Sequence, residues 1–127
     1  ASTKALAEAC DVLALTCPGG EATQNMIDGD VLQALGPKGY LVNIARGTVV
    51  DEAALVQALS EQTIAGAGID VFVDEPNVPE ALFGMENVVL QPHQASATIE
   101  TRTAMGNLTI DNLLAQFGSR PLPNQVA

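Results

Sequence analysis

An α/β fold built on a parallel, doubly wound sheet is what this chain predicts, and three observations carry that expectation. Apolar runs of strand length alternate with segments of helical spacing, the pattern of successive βαβ units. The runs Val12-Leu13-Ala14-Leu15-Thr16 and Tyr40-Leu41-Val42-Asn43-Ile44 are almost continuously apolar, which suits strands buried on both faces. No G-x-G-x-x-G turn is present, so the expected piece is the second half of such a domain. Gly66-Ala67-Gly68 lies inside a predicted strand and does not supply that turn.

The elements follow in order. Ser2 is a plausible N-cap for a short helix through Leu6 and Ala9. Val12–Thr16 is the first strand, stopped by Pro18-Gly19-Gly20. Asp28 or Asp30 caps a helix carrying Val31, Leu32 and Leu35, which ends at Gly36-Pro37. Tyr40–Ile44 is the second strand. Asp51 caps a third helix, in which Leu55 and Leu59 share a face. Ile64–Val71 is a third strand, glycine-rich and therefore close to other backbone. Val88-Val89-Leu90 is a short fourth. After Ser96 a long helix carries Ile110, Leu113, Leu114 and Phe117 on one stripe. Gly118 stops it, and Pro121 and Pro123 make the tail extended. With its neighbouring half absent, the first strand is expected to be an apolar, unprotected edge.

Composition narrows the partners. The chain has 127 residues, 47% of them apolar, with no Trp, so aliphatic packing must build the core. Five basic residues face fifteen acidic ones, a net charge of −10, which argues against nucleic acid and anionic membrane surfaces as partners. No apolar run is long enough to span a bilayer. Cys10 and Cys17 form no CxxC pair, and two reduced cysteines in a cytoplasmic protein are the expectation. A metal site is not expected, because no second His and no Cys cluster accompanies the lone histidine.

Groups that act on ligands in parallel sheets sit at the carboxyl ends of strands. Pro18, Arg46, Asp70 and His93 all follow apolar runs and are expected along one edge. Arg46, in Val42-Asn43-Ile44-Ala45-Arg46-Gly47, has a planar fork that can hold a carboxylate and polarise a neighbouring carbonyl. The competing reading is a surface arginine bonded to nearby backbone carbonyls. His93 is the single histidine and can deliver a proton near neutral pH; otherwise it is a loop residue packed behind Pro92. A carboxylate bonded to an imidazole fixes its tautomer and favours the charged form. Asp74 and Glu75 both offer one, and composition does not separate them. Asp70 either accepts from a carboxamide or caps the loop that follows. Pro18 and Thr23 flank a glycine-rich turn able to approach an adenosine, or are ordinary turn residues. Arginine, an acid and histidine are the parts needed to reduce a 2-keto acid.

Three motifs in one order carry a resemblance: Leu41-Val42-Asn43-Ile44-Ala45-Arg46-Gly47, then Gly68-Ile69-Asp70-Val71-Phe72 through Glu75-Pro76, then Pro92-His93 with Ser96-Ala97-Thr98. The chain resembles the C-terminal part of the D-isomer-specific 2-hydroxyacid dehydrogenases, most closely their glyoxylate/hydroxypyruvate reductase branch. The resemblance implies a Rossmann-type NAD(P)-binding half-domain over residues 1–106. It also implies a helix and tail over 107–127 that return to the substrate domain, with Asn107 to Phe117 as the helix and Pro121 to Val126 as the tail. It implies that Arg46 binds substrate, that His93 is the acid/base and that Glu75 is its partner. By the same resemblance Asp70 holds the nicotinamide carboxamide, and Ile44 and Ala45 lie near the nicotinamide ring. Cys17, Pro18 and Thr23 line the adenosine side, and Ala95 joins the cofactor-binding set. NADP is slightly favoured over NAD, the substrate is a small 2-keto acid, and the partner is a second copy or the missing N-terminal part. Gln94-Ala95 departs from the family's usual apolar residue and Gly, and Glu75 separates the chain from formate dehydrogenases, which carry glutamine there. Two rival readings are a dinucleotide-sensing, corepressor-like binding module and a truncated fragment inactive by itself.

Overall fold

In the computed structural model the described residues are 2–125, and the chain divides into two compact units, Ala1–His93 and Gln94–Ala127. The first unit runs α1 (Thr3–Glu8), β1 (Val12–Leu15), α2 (Gly29–Leu35), β2 (Tyr40–Asn43), α3 (Glu52–Ser60), β3 (Gly66–Ile69) and β4 (Val88–Leu90). The strands form one sheet in the order β1-β2-β3-β4, every pair parallel. The α/β parallel architecture expected from the alternating runs is therefore present.

Each helix starts where a short polar side chain can accept an otherwise unpaired backbone N–H. Ser2 accepts from Ala5 N, Asp28 from Val31 N and Asp51 from Ala54 N. Asp28, rather than Asp30, is thus the cap of α2. That helix ends at Gly36, whose φ of 77° lies in the left-handed region that glycine enters without a Cβ clash.

The register sorts the sheet into two faces. Leu13 aligns with Leu41 and Ala67, and Leu15 with Asn43, Ile69 and Leu90. Leu13, Leu15, Leu41, Ala67 and Ile69 share a buried cluster with Leu32 of α2 and with Leu55 and Leu59 of α3. The other face carries Val12, Ala14, Tyr40 and Val89. Here the structure corrects the expectation of strands buried on both sides. Val12 is 54% exposed, Tyr40 is 51% exposed, and β1 alternates exposed and buried residues. The nearly continuous apolar runs do form parallel strands, but the buried cluster with α1 to α3 lies on one face of them. The edge position of β1, inferred from the missing half, is observed.

The second unit is dominated by α4 (Ile99–Phe117), capped by Thr98 accepting from Thr101 N and closed at Gly118. The domain boundary expected after residue 106 falls inside this continuous helix. Ile110, Leu113, Leu114 and Phe117 are exposed along it. The tail folds back rather than running straight: Asn124 N donates to the Asn112 side chain. Of the expected tail, Val126 lies outside the described residues.

Candidate active site

Because all four strands run the same way, the segments after β2, β3 and β4 emerge together. After β2 the chain makes a tight turn organised by Asn43. Its Oδ1 accepts from Ala45 N (3.0 Å) and its Nδ2 donates to the Arg46 carbonyl (3.1 Å). This is a side chain mimicking a backbone turn. Asn43 is 2% exposed, so leaving either group unpaired would carry a desolvation cost of about 1–3 kcal/mol. The turn sets Arg46 at the surface while burying Ala45 and Gly47. Gly47 is required by contact. A Cβ there would collide with the carbonyl carbon and oxygen of Phe72 and with Val73 N. The backbone after β2 therefore lies directly against the backbone after β3.

That second segment carries Glu75. Its Oε1 accepts from Phe72 N (3.0 Å), and its Oε2 lies 2.7 Å from His93 Nδ1. The His93 ring comes from the segment after β4. His93 has a φ of 52°, a left-handed conformation that costs a non-glycine residue about 1 kcal/mol or more and clusters at functional sites. The hydrogen bond from His93 holds the Glu75 carboxyl below the ordinary glutamate range. The Phe72 N–H adds to this, as do the charges of His93 and Arg46, while burial opposes it. The charge of Arg46 reaching Glu75 agrees with the geometry. Arg46, Glu75 and His93 line one open cleft of about 530 Å³, floored by Gly19, Gly20 and Thr48. The same Glu75 and His93 border a second, apolar pocket of about 310 Å³ containing Phe72, Val78, Phe83 and Leu90.

The structure thus brings together the three residues singled out from the sequence as the reacting set. The guanidinium of Arg46 donates from Nη1 to the Ala45 carbonyl (2.6 Å), the backbone contact weighed as its alternative. A guanidinium has five N–H donors, so this bond occupies one part of the fork. Asp70 follows β3, is 4% exposed, and donates its N–H to the Asn43 carbonyl at 3.0 Å. It lies beside the turn that presents Arg46. Pro18 and Thr23 belong to one pinned loop: Thr23 Oγ1 donates to the Pro18 carbonyl (2.9 Å), with the Gly20 carbonyl at 3.2 Å. Ile44 is exposed, whereas Ala45 is buried. Cys17 is half-buried and lines a separate groove with Ser2, Leu6 and Met26. Ala95 belongs to the second unit and is exposed.

Two contributors went unrecognised in the sequence. Asn43 was visible only as a polar interruption of an apolar run. Glu52 accepts from Val73 N (3.2 Å) across 21 positions, and no local pattern signals a bond of that range. Among the described residues, no cluster of three His, Cys, Asp or Glu side chains suited to a metal is found. No helix among them is long and apolar enough to cross a membrane.

Comparison with known proteins identifies the family of the chain. Residues 1–95 match the family described as D-isomer specific 2-hydroxyacid dehydrogenase, NAD binding domain. The chain is 62% identical over 119 residues to 2-ketogluconate reductase of Gluconobacter oxydans, covering 94% of this chain and 38% of that one. It is 51% identical over 117 residues to glyoxylate/hydroxypyruvate reductase A of Arabidopsis thaliana, covering 92% and 37%. A solved structure of the NADPH-dependent glyoxylate/hydroxypyruvate reductase of Sinorhizobium meliloti, in complex with NADP and malonate, superposes with a TM-score of 0.95 at 53% identity. That match covers 99% of this chain and 40% of that one. The chain therefore spans under half the length of these relatives. With three quarters of its residues inside the family's match, it belongs to the D-isomer-specific 2-hydroxyacid dehydrogenases.

Proposed function

We propose that the intact protein carrying this chain reduces a small 2-keto acid, of the glyoxylate or hydroxypyruvate kind, to a D-2-hydroxy acid using NADPH or NADH. The observation that carries this reading is the single cleft shared by Arg46, Glu75 and His93. The names of the relatives support the substrate class, and the NADPH-dependent Sinorhizobium enzyme supports a lean toward NADP.

The residues present fit a dinucleotide. Gly20 lines the cleft and a Cβ there would meet nothing within 4 Å, so at this point the cleft presents bare main chain that a flat ring can approach closely. Pro18, Thr23, Ile44 and the backbone of Ala45 would hold the cofactor, with Asp70 on the carboxamide. Cys17 and Ala95 are assigned to the same set by family resemblance alone. When bound, the nicotinamide supplies a hydride to the keto carbon.

The chain's own groups do the rest. The fork of Arg46 takes the substrate carboxylate and polarises the neighbouring ketone. With Nδ1 of His93 facing Glu75 at 2.7 Å, Nε2 is the nitrogen that delivers a proton to the ketone oxygen. Glu75 holds the tautomer and stabilises the charged ring until that proton leaves. In the same reading the remainder of the enzyme, or a second copy, covers the open sheet face at Val12 and Tyr40, and residues 107–127 return to the substrate domain.

Rates with glyoxylate, hydroxypyruvate and pyruvate, each with NADPH and NADH, test the reading. Turnover of at least one keto acid is expected, fastest with NADPH. Tight nucleotide binding with no turnover of any of them would instead identify a dinucleotide-binding module.

A further inference from the structure

The functional reading requires Glu75 to be aimed at His93, yet Glu75 stands on an exposed segment, Val73 to Asn77, with little packing of its own. Two adjacent backbone N–H groups at the start of that segment are each held by a carboxylate. Phe72 N donates to Glu75 itself, and Val73 N donates to Glu52 Oε2 at 3.2 Å. Glu52 occupies the first position of α3, directly after the Asp51 cap. That helix is anchored in the core through Leu55 and Leu59. The Val73 side chain is half exposed, so its backbone N–H is the handle by which the rigid layer can grip this segment. Glu52 also lines a very small cavity with Asn43, Gly47 and Phe72, directly beneath the meeting of the two turns. Removing its carboxylate would take away the acceptor of Val73 N and leave the start of the segment held only by the Gly47 packing and the Phe72–Glu75 bond.

We propose that Glu52 is a positioning residue, which clamps Val73 so that Glu75 stays in register with His93. This rests on the reductase reading above and assigns Glu52 no contact with substrate or cofactor. A misplacement of the order of 1 Å at a reacting group can cost up to about a hundredfold in rate; a partial loosening is expected here.

The test uses the intact protein with E52A and E52Q. In E52A, kcat falls by about tenfold while keto-acid KM and nucleotide affinity stay within about twofold. The amide oxygen of E52Q still accepts the Val73 N–H, so kcat returns to within a few-fold of the parent. Two readouts do not need turnover. Hydrogen exchange of a peptide spanning residues 72–75 accelerates in E52A but not in E52Q. The Glu75 carboxyl, followed by carbon NMR, titrates closer to the ordinary glutamate range in E52A. Full activity in E52A, or E52Q as impaired as E52A, overturns the positioning role. Unchanged exchange and unchanged Glu75 titration in E52A overturn the clamp itself. If the parent protein turns over no keto acid, the reductase reading fails, and the exchange and titration readouts still decide whether Glu52 holds Glu75.

Discussion

In the proposed reaction His93 delivers the proton, and its contact with Glu75 leaves a mark on the partner. The hydrogen bond from the imidazole is the main cause holding the Glu75 carboxyl below the ordinary glutamate range, so H93A should bring it up toward that range, read by carbon NMR. The sign for stability follows from the lowered value. The contribution of the Glu75 carboxyl is fully present above the ordinary glutamate range and is lost as pH falls through the lowered folded value. Both groups are well exposed, so this contribution is small. For activity, H93A in the intact protein should cost about 10²–10⁴-fold in kcat, the usual value of a positioned proton donor, with nucleotide affinity retained. Turnover unaffected by H93A would remove the imidazole from the mechanism. R46K keeps the charge but loses the planar fork, and a rise in keto-acid KM of about tenfold or more is expected. At this scale the sequence was informative because Arg46 and His93 are rare types in an acidic chain. Choosing Glu75 over Asp74 needed the family resemblance, and the 2.7 Å contact now places Glu75, not Asp74, on the imidazole. Glu52 was illegible, since its partner is a backbone N–H brought close only by folding.

Among the elements, caps and apolar spacing were the readable signals. Asp51 and Ser2 cap where expected, and β4 matches Val88–Leu90. The short 3₁₀ turns at Glu21–Thr23, Gly47–Val49 and Glu80–Gly84 were not readable, because three to five residues carry no usable period. D28A should lower stability by about 1 kcal/mol, the usual worth of an N-cap, as a shift in urea midpoint without a change in slope. The junction of the β2 and β3 turns is less forgiving. Gly47→Ala would push a methyl into the Phe72 backbone, and overpacking of this kind costs about 1–3 kcal/mol. Since the displaced segment carries Glu75, activity should fall further than the urea-measured stability loss explains. A variant that keeps full turnover would show the two turns to be independent.

For the molecule as a whole, the open sheet face is the main consequence of the fold. Val12, Tyr40 and Val89 are exposed, and β1 is a sheet edge with unpaired backbone groups. Residues 1–127 expressed alone should therefore self-associate, giving a light-scattering mass well above the 13.1 kDa of one chain. A monodisperse monomer at that mass would contradict the edge argument. The sequence by itself determined the α/β class, the helix caps Ser2 and Asp51 and the residue types available for chemistry, because spacing and capping act over a few neighbouring positions. The convergence of Arg46 and His93, 47 positions apart, on one edge followed from the alternating runs, and the structure gives the cleft they share. Only the tertiary structure decided which face of each strand was covered and that Glu52 grips Val73, because both depend on packing between distant segments, which no local stretch of chain encodes.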